Sequence, residues 1–101
     1  MYIVIFESWP EPAHADRYAE YAARMLAEVE SMEGFIGFER YASVDEAGKF
    51  LAISLWESQE SIQRWRENLA HREAQKLGKR DFYRAYRLRV AEVSREYGHS
   101  N

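Results

Sequence analysis

The sequence contains no cysteine, and only three of its 101 residues are histidine. Without thiols the chain cannot form disulfides, thiolate zinc sites, iron–sulfur clusters or a cysteine nucleophile. The histidines, His14, His71 and His99, are far apart in the sequence. We therefore expect no metal site and no cofactor.

Long apolar runs are also missing. The run at residues 2–6 is far too short to cross a bilayer, and no basic segment precedes it as one would in a signal peptide. The formal net charge of −3 argues against general nucleic-acid binding. No nucleophile elbow, phosphate-binding loop or dinucleotide fingerprint is present. We therefore expect a cytoplasmic protein with no membrane or nucleic-acid partner, and its length supports one domain.

Aromatic residues, by contrast, make up 15% of this small chain. That fraction indicates either an unusually aromatic core or rings that line a pocket or a partner surface. The first strand extends to about Trp9, and a helix follows from roughly His14 to Met32, with Gly34 as its C-terminal cap. The helix is predicted by apolar residues at steps of three and four: Tyr18, Ala22, Met25, Val29 and Met32.

The middle of the chain predicts a β-hairpin over residues 35–43 and 49–56, with Gly48 in its loop. Ser58 caps a second helix, and a third short helical stretch covers about 71–77. The buried stripe of the second helix is Ile62, Trp65 and Leu69. The last strand runs over about 82–93.

This order, β-α-β-β-α-(α)-β, is the split β-α-β arrangement of ferredoxin-like α+β folds, with one antiparallel sheet and helices on one face. Residues 1–94 form the domain, and residues 95–101 form a polar tail. Strands one and three are apolar on both faces, whereas a sheet with one wet face should alternate. We therefore expect a homodimer in which two sheets face each other.

Three segments resemble the antibiotic biosynthesis monooxygenase family of dimeric α+β barrel proteins. They are Met-Glu-Gly-Phe-Ile-Gly-Phe-Glu at 32–39, Leu-Trp-Glu-Ser at 55–58 with Trp65 after it, and His-Arg-Glu-Ala-Gln at 71–75 with Phe82 and Tyr83 after it. The resemblance implies a cofactor-independent monooxygenase that oxidises a small, cyclic or polycyclic hydroxyaromatic or quinol with dioxygen. Its partners would be a second copy of itself and a small aromatic or apolar ligand.

The resemblance also nominates catalytic residues. Trp65 would stack on the substrate, His71 would handle a proton, and Tyr83 would donate to an oxyanion. Each has a structural alternative, since Trp65 fits a core position, His71 fits a helix start and Tyr83 fits sheet packing. The nominated pocket residues are Trp9, Phe38, Arg84 and Tyr86. Strict alternation along the last strand puts Arg84 and Tyr86 on one face and Tyr83 on the other.

Two other functions remain open at this stage. One is a non-catalytic dimeric protein that binds a small ligand. The other is a heme-degrading oxygenase, which the resemblance disfavours because Gln75 occupies the position of the iron-ligand histidine. The asparagine that those enzymes carry on strand one is also absent from the stretch Phe6-Glu7-Ser8.

Overall fold

The structure, a computed structural model, describes residues 1–75 and 82–100, and side chains within 1–69 and 82–100. A single-turn 3-10 helix follows the first strand. The regular elements are β1 (Tyr2–Pro10), α1 (Ala15–Val29), β2 (Phe35–Ala42), β3 (Phe50–Trp56), α2 (Gln59–Gln75) and β4 (Tyr83–Glu92). No helix in this part of the chain is long and apolar enough to cross a membrane.

The four strands form one antiparallel sheet in the order β2-β3-β1-β4. This order confirms the ferredoxin-like α+β fold. One prediction about the helices is wrong, because α2 is continuous from Gln59 to Gln75 rather than broken near residue 71. The reason is that residues 70–75 include good helix formers and neither glycine nor proline.

The core lies between the helices and one face of the sheet. Its fully buried members come from all the packed elements: Val4, Val29, Trp56 and Ile62. Trp56 is only 1% exposed, and its indole Nε1 donates a hydrogen bond to Ser54 Oγ at 2.9 Å. The ring of Phe35 meets Trp56 edge-on, with centroids 5.4 Å apart. Both helices therefore pack on the sheet face to which Val4 points.

Gly34 lies between α1 and β2 and packs against the start of α2. Its φ of +87° is a left-handed conformation that favours glycine. The prediction that Gly34 is the C-terminal cap of the first helix is wrong, because α1 ends at Val29 and Glu30 is its cap. A Cβ at this position would lie 2.5 Å from Cβ of the buried Ser61. Ser58 Oγ accepts a hydrogen bond from the Ser61 amide at 3.1 Å, which confirms Ser58 as the cap of α2. The close approach of Gly34 thus sets the distance between β2 and α2.

The second face of the sheet carries a different set of side chains. Because Val4 faces the helices, its neighbours Ile3 and Ile5 point to the other side. The register places Leu55 and Ile53 of β3 beside them. These aliphatic side chains are all part-exposed, and both helices lie on the opposite face.

Candidate active site

Aromatic rings converge between α1 and the sheet, near the end of β1 and the start of β4. We call this group the aromatic cluster; it consists of Phe6, Tyr18, Tyr21, Phe82, Tyr83 and Tyr86. Tyr83 is central, because its ring centroid lies 5.5 Å from that of Phe6, 5.4 Å from that of Tyr18 and 5.7 Å from that of Tyr86. Edge-on and tilted contacts of this kind are the favoured geometries of aromatic pairs.

A β-bulge at the start of β4 brings two of these tyrosines to the same side. The register between β1 and β4 shifts by one residue there, and both Tyr83 and Tyr86 contact the ring of Phe6. The prediction that Tyr83 lies on the opposite face from Tyr86 is therefore wrong. Its physical reason is the extra residue, which interrupts the alternation of side chains along the strand.

The hydroxyl of Tyr83 lies in a half-buried position. Burial raises the pKa of Tyr83, and the neighbouring Tyr18 raises it further, partly through a side-chain hydrogen bond. Both causes favour the protonated form of the Tyr83 hydroxyl. Tyr83 is therefore a neutral hydroxyl whose ring lies beside that of Tyr18.

Two guanidinium groups flank the aromatic cluster. Arg40 of β2 lies over the rings of Tyr18 and Phe50, with its Cζ 5.5 Å and 5.1 Å from their centroids. Its Nη2 also donates a hydrogen bond to the Tyr18 hydroxyl oxygen at 3.2 Å. Arg17 of α1 lies over Phe82, with its Cζ 5.5 Å from the ring centroid. The site thus joins apolar ring faces to positive charge, an arrangement suited to an aromatic molecule that carries an oxyanion.

Trp65 and Phe38 lie on the same side of the sheet as the aromatic cluster. Trp65 is half-buried and packs against the core of Val4, Val29, Trp56 and Ile62. Phe38 is 38% exposed on the edge strand β2. Within the described side chains, no ring pair joins Trp65 or Phe38 to the aromatic cluster. The structure therefore places Trp65 at a core position, as the structural alternative for it predicts.

Trp9 lies on the other face of the sheet. Its indole Nε1 donates a hydrogen bond to Glu46 Oε2 at 2.6 Å, and the Lys49 ammonium lies 5.1 Å from the centroid of its ring. The structure thus does not bring Trp9 together with Tyr83 or Tyr86. Arg84 is exposed at the bulge.

His71 and Gln75 lie on α2, and their side chains are outside the described part of the structure. The proton-handling role of His71 and the absence of an iron ligand at residue 75 therefore stay predictions from the sequence.

Two residues of the site were missed by the sequence analysis. Tyr18 was counted in the apolar stripe of α1, although its hydroxyl distinguishes it from the alanine, methionine and valine residues of that stripe. Arg40 shares the inward face of β2 with Phe38, as alternation from Phe38 indicates. Two signals in the sequence indicate these residues: a hydroxyl within an apolar helix stripe, and a cation at an inward-facing strand position.

The second face of the sheet carries a separate ionic network around Glu7. The carboxylate oxygens of Glu7 lie 2.8 Å from Arg87 Nη2, 2.8 Å from Arg89 Nη1 and 3.3 Å from Lys49 Nζ. The hydrogen bond from Arg87 is the largest cause that lowers the pKa of Glu7, to about 2. Within residues 1–75 and 82–100, no group of three or more His, Asp or Glu side chains could hold a metal ion.

Comparison with known proteins gives matches in sequence. A family model described as antibiotic biosynthesis monooxygenase matches residues 1–77. Jasmonate monooxygenase ABM of Pyricularia oryzae is 36% identical over 94 residues, which are 93% of this chain and 44% of the relative. The uncharacterized protein YqjZ of Bacillus subtilis is 34% identical over 95 residues, which are 94% of this chain and 81% of the relative. The chain thus spans less than half the length of the fungal relative and most of the bacterial one.

Solved structures with the same fold are also found. SnoaB, a cofactor-independent oxygenase from Streptomyces nogalater, has a TM-score of 0.75 and 16% identity, with 97% of each chain covered. The heme-degrader MhuD from Mycobacterium tuberculosis, with two hemes bound, has a TM-score of 0.74 and 20% identity, with 97% of this chain and 100% of that chain covered. At these identities the likeness establishes the fold alone.

Proposed function

Because the chain belongs to the antibiotic biosynthesis monooxygenase family, we propose that it is a cofactor-independent monooxygenase that oxidises a small, cyclic or polycyclic hydroxyaromatic, or a quinol, with dioxygen. The observation that carries the proposal is the aromatic cluster with Arg40 at its edge. Flat ring faces bind an aromatic substrate by stacking, and the guanidinium favours the anionic form of that substrate.

In the proposed reaction the protein binds the substrate and handles its protons. An electron-rich hydroxyaromatic loses a proton and becomes a stabilised carbanion. This anion reduces dioxygen through a radical pair and forms a peroxide at the same carbon. Loss of water from the peroxide gives the quinone, so one oxygen atom enters the product and the other leaves as water. The protein contributes a dry aromatic environment, a proton acceptor and a donor to the oxyanion.

The roles assigned to residues follow from this chemistry. His71 is the proposed proton acceptor, since imidazole titrates near neutral pH. Trp65 is the proposed aromatic wall from the side of α2, and the oxyanion donor is a tyrosine hydroxyl of the aromatic cluster, for which the sequence nominates Tyr83. The residues proposed to border the substrate are Phe38, Arg84 and Tyr86. Trp9 is proposed as a further pocket residue only because it lies at the end of β1.

We also propose that two copies pair through the second face of the sheet and form a dimeric α+β barrel. The part-exposed aliphatic residues Ile3, Ile5, Ile53 and Leu55 on that face support this pairing. An interface of this composition is expected to bury roughly 1,500 Å² or more in total, in the range of stable dimers.

The experiment that tests the function is oxygen uptake by the purified protein with a panel of anthrones, hydroquinones and jasmonate. Jasmonate is included because the fungal relative is named for it. Uptake with equimolar quinone from an anthrone or hydroquinone supports the proposal. Saturable binding of these compounds without uptake would favour the non-catalytic binding protein instead. A Soret band on addition of heme, with submicromolar affinity and heme loss under a reductant, would favour the heme-degrading reaction.

A further inference from the structure

The second face of the sheet carries opposite charges at its two edges. The register places Glu39, Ile53, Ile5 and Arg89 in one row that runs from β2 across β3 and β1 to β4. Residues directly opposite each other in such a ladder point to the same face of the sheet. Because β2 and β4 are the outer strands, the row begins with a carboxylate at one edge and ends with a guanidinium at the other.

These two charges do not meet within one copy of the chain. Neighbouring strands lie about 4.8 Å apart, so the three spacings between Glu39 and Arg89 separate their Cα atoms by about 14 Å. Glu39 is exposed, and within residues 1–69 and 82–100 no salt bridge joins it to a cation. Arg89 is still 53% exposed although it bonds Glu7. Both ends of the row can therefore contact a partner.

The next row of the same face repeats this polarity. It places Tyr41 at the β2 edge and Arg87 at the β4 edge, with Leu51 and Glu7 between them. The ring of Tyr41 is 45% exposed, and an aromatic face attracts a cation. Arg87 is 54% exposed. Two successive rows thus carry a cation at the β4 edge and a group that attracts cations at the β2 edge.

The symmetry of a pair determines which edges meet. Two identical sheets that pack face to face are related by a two-fold axis between them. An axis parallel to the strands keeps each row at its level and exchanges its ends, so Arg89 of one copy lies over Glu39 of the other, and Ile5 lies over Ile53. An axis across the strands would instead place β4 on β4 and bring the arginines of both copies together. Stacked sheets lie about 10 Å apart, a gap that extended arginine and glutamate side chains span together.

We propose that a second copy of the chain docks on this face with its β2 edge over the β4 edge, so that Glu39 of each copy pairs with Arg89 of the other and Tyr41 lies against Arg87. The inference rests on the proposed pairing of two copies and specifies its orientation. The aliphatic centre of the face supplies the affinity, and the charges at the edges select the orientation, because the alternative brings like charges together. By symmetry each dimer contains the contact between Glu39 and Arg89 twice.

Charge reversal tests the orientation through the dimer Kd, measured by sedimentation equilibrium. Glu39→Lys and Arg89→Glu each turn two attractions into two repulsions and are expected to raise the Kd by about tenfold or more. The double variant restores opposite charges, and its Kd is expected to return most of the way to the wild-type value. Arg89→Glu also removes a bond to Glu7, but that loss is the same in the single and the double variant. Since the two residues lie at opposite edges of one copy, the recovery reports a contact between copies.

The matched control makes the same charge changes on the helix layer. Glu20 and Arg24 are exposed on α1, and Glu20→Lys, Arg24→Glu and their double variant are expected to keep the wild-type Kd. Salt gives a second measurement, because it screens exposed charges. Added sodium chloride should raise the Kd of the wild type and lower the Kd of Glu39→Lys. Thermal melts of all variants show that the fold is retained.

Chemical crosslinking checks the same contact without changing its charges to the opposite sign. The chain contains no cysteine, so Glu39→Cys and Arg89→Cys each introduce a single thiol. A short bismaleimide is expected to join the two variants after they are mixed and exchange subunits, and to join neither variant to itself. Val44→Cys, at a position 99% exposed in the hairpin loop, is the control for random collision.

The contrary results are distinct. A dimer in which both single charge reversals leave the Kd unchanged, or in which Glu39→Cys or Arg89→Cys crosslinks to itself and not to the other variant, would overturn the orientation and leave the proposed pairing intact. A wild type that is monomeric would overturn the orientation together with the pairing. Oxygen uptake decides the proposed monooxygenase function separately in each case.

Discussion

Glu7 of β1 and Arg87 of β4 are direct register partners, and Arg87 Nη2 lies 2.8 Å from Glu7 Oε2. Arg89, two residues further along β4, donates to the other carboxylate oxygen at 2.8 Å. The pair therefore joins the central strand β1 to the edge strand β4 on the face away from the helices. With Lys49 they also place three cations around one carboxylate on the face that carries Ile3, Ile5, Ile53 and Leu55.

The first prediction concerns the acid stability that Glu7 supplies. Its pKa is lowered from 4.5 to about 2 in the folded protein, chiefly by the Arg87 hydrogen bond. A group with a depressed folded pKa stabilises the protein fully above its unfolded value and loses that contribution as pH falls toward the folded value. The stability advantage of the wild type over Glu7→Gln should therefore be full at pH 7 and shrink from about pH 4.5 toward pH 2.

Urea unfolding at pH 7, 4 and 3 measures this dependence. Glu96→Gln is the control, since Glu96 lies exposed on the C-terminal segment. Parallel pH profiles for the wild type and Glu7→Gln would contradict the prediction.

The second prediction uses two glycines with nearly equal backbone angles. Gly34 and Gly48 have φ of +87° and +82°, but only Gly34 has a neighbour where a Cβ would lie. Gly48→Ala should cost about 1 kcal/mol, the penalty for a left-handed alanine. Gly34→Ala carries that penalty and a contact of 2.5 Å with Ser61, so it should cost about 3 kcal/mol or more. Denaturant unfolding of both variants gives the comparison, and equal losses would show that the contact relaxes without cost.

The third prediction separates packing from chemistry at α2. Trp65→Ala should lower the free energy of unfolding by about 2–3 kcal/mol, less than for a fully buried tryptophan because Trp65 is half-buried. Trp65→Phe should keep the fold and weaken an aromatic ligand by a factor of a few. His71→Ala should leave stability nearly unchanged and lower turnover by about 10²-fold, the usual contribution of a positioned base. Thermal melts and oxidation rates on the same preparations test these expectations, and unchanged turnover in His71→Ala would remove histidine from the mechanism.

The fourth prediction concerns the second face of the sheet. Ile53→Asp places a charge among aliphatic residues of the proposed interface and should convert a dimer to a monomer. Leu88→Asp is the matched control, because Leu88 is 43% exposed on the helix side of the same sheet, opposite Phe6 in the register. Sedimentation at micromolar concentration measures the oligomeric state of both variants. A wild type that sediments as a monomer, or a dimer that survives Ile53→Asp, would reject the proposed pairing.

Much of the fold could be predicted from the sequence, because periodicity reports directly on burial. The stripe of α1 led to the helix and its buried face, and Ser58 marked the start of α2. The site was harder, because it depends on contacts between distant elements. Nothing in the local pattern around Tyr18 reveals that Arg40, on another element, donates to its oxygen.

The prediction of side-chain direction along β4 is wrong for a different physical reason, the β-bulge at the start of that strand. Side-chain direction along a strand follows from counting residues, and one unpaired residue reverses every assignment on one side of it. No residue type near Arg84 signals the interruption, since neither glycine nor proline occurs there.

That single unpaired residue decides which side chains belong to the site, because it decides to which face of the sheet the residues before it point. Removing Arg84, the unpaired residue, would leave Tyr83 and Tyr86 two positions apart, so regular alternation would keep both rings on the helix side. Loss of the bulge at the present chain length would instead turn the Tyr83 ring toward the face that carries Glu7 and its arginines. A phenol would then leave the side of Tyr18 and enter an ionic surface, although no side chain had been replaced. Substitutions can only exchange the groups at this site one at a time. A change of strand pairing at the start of β4 would instead change the face of the sheet to which Tyr83 points.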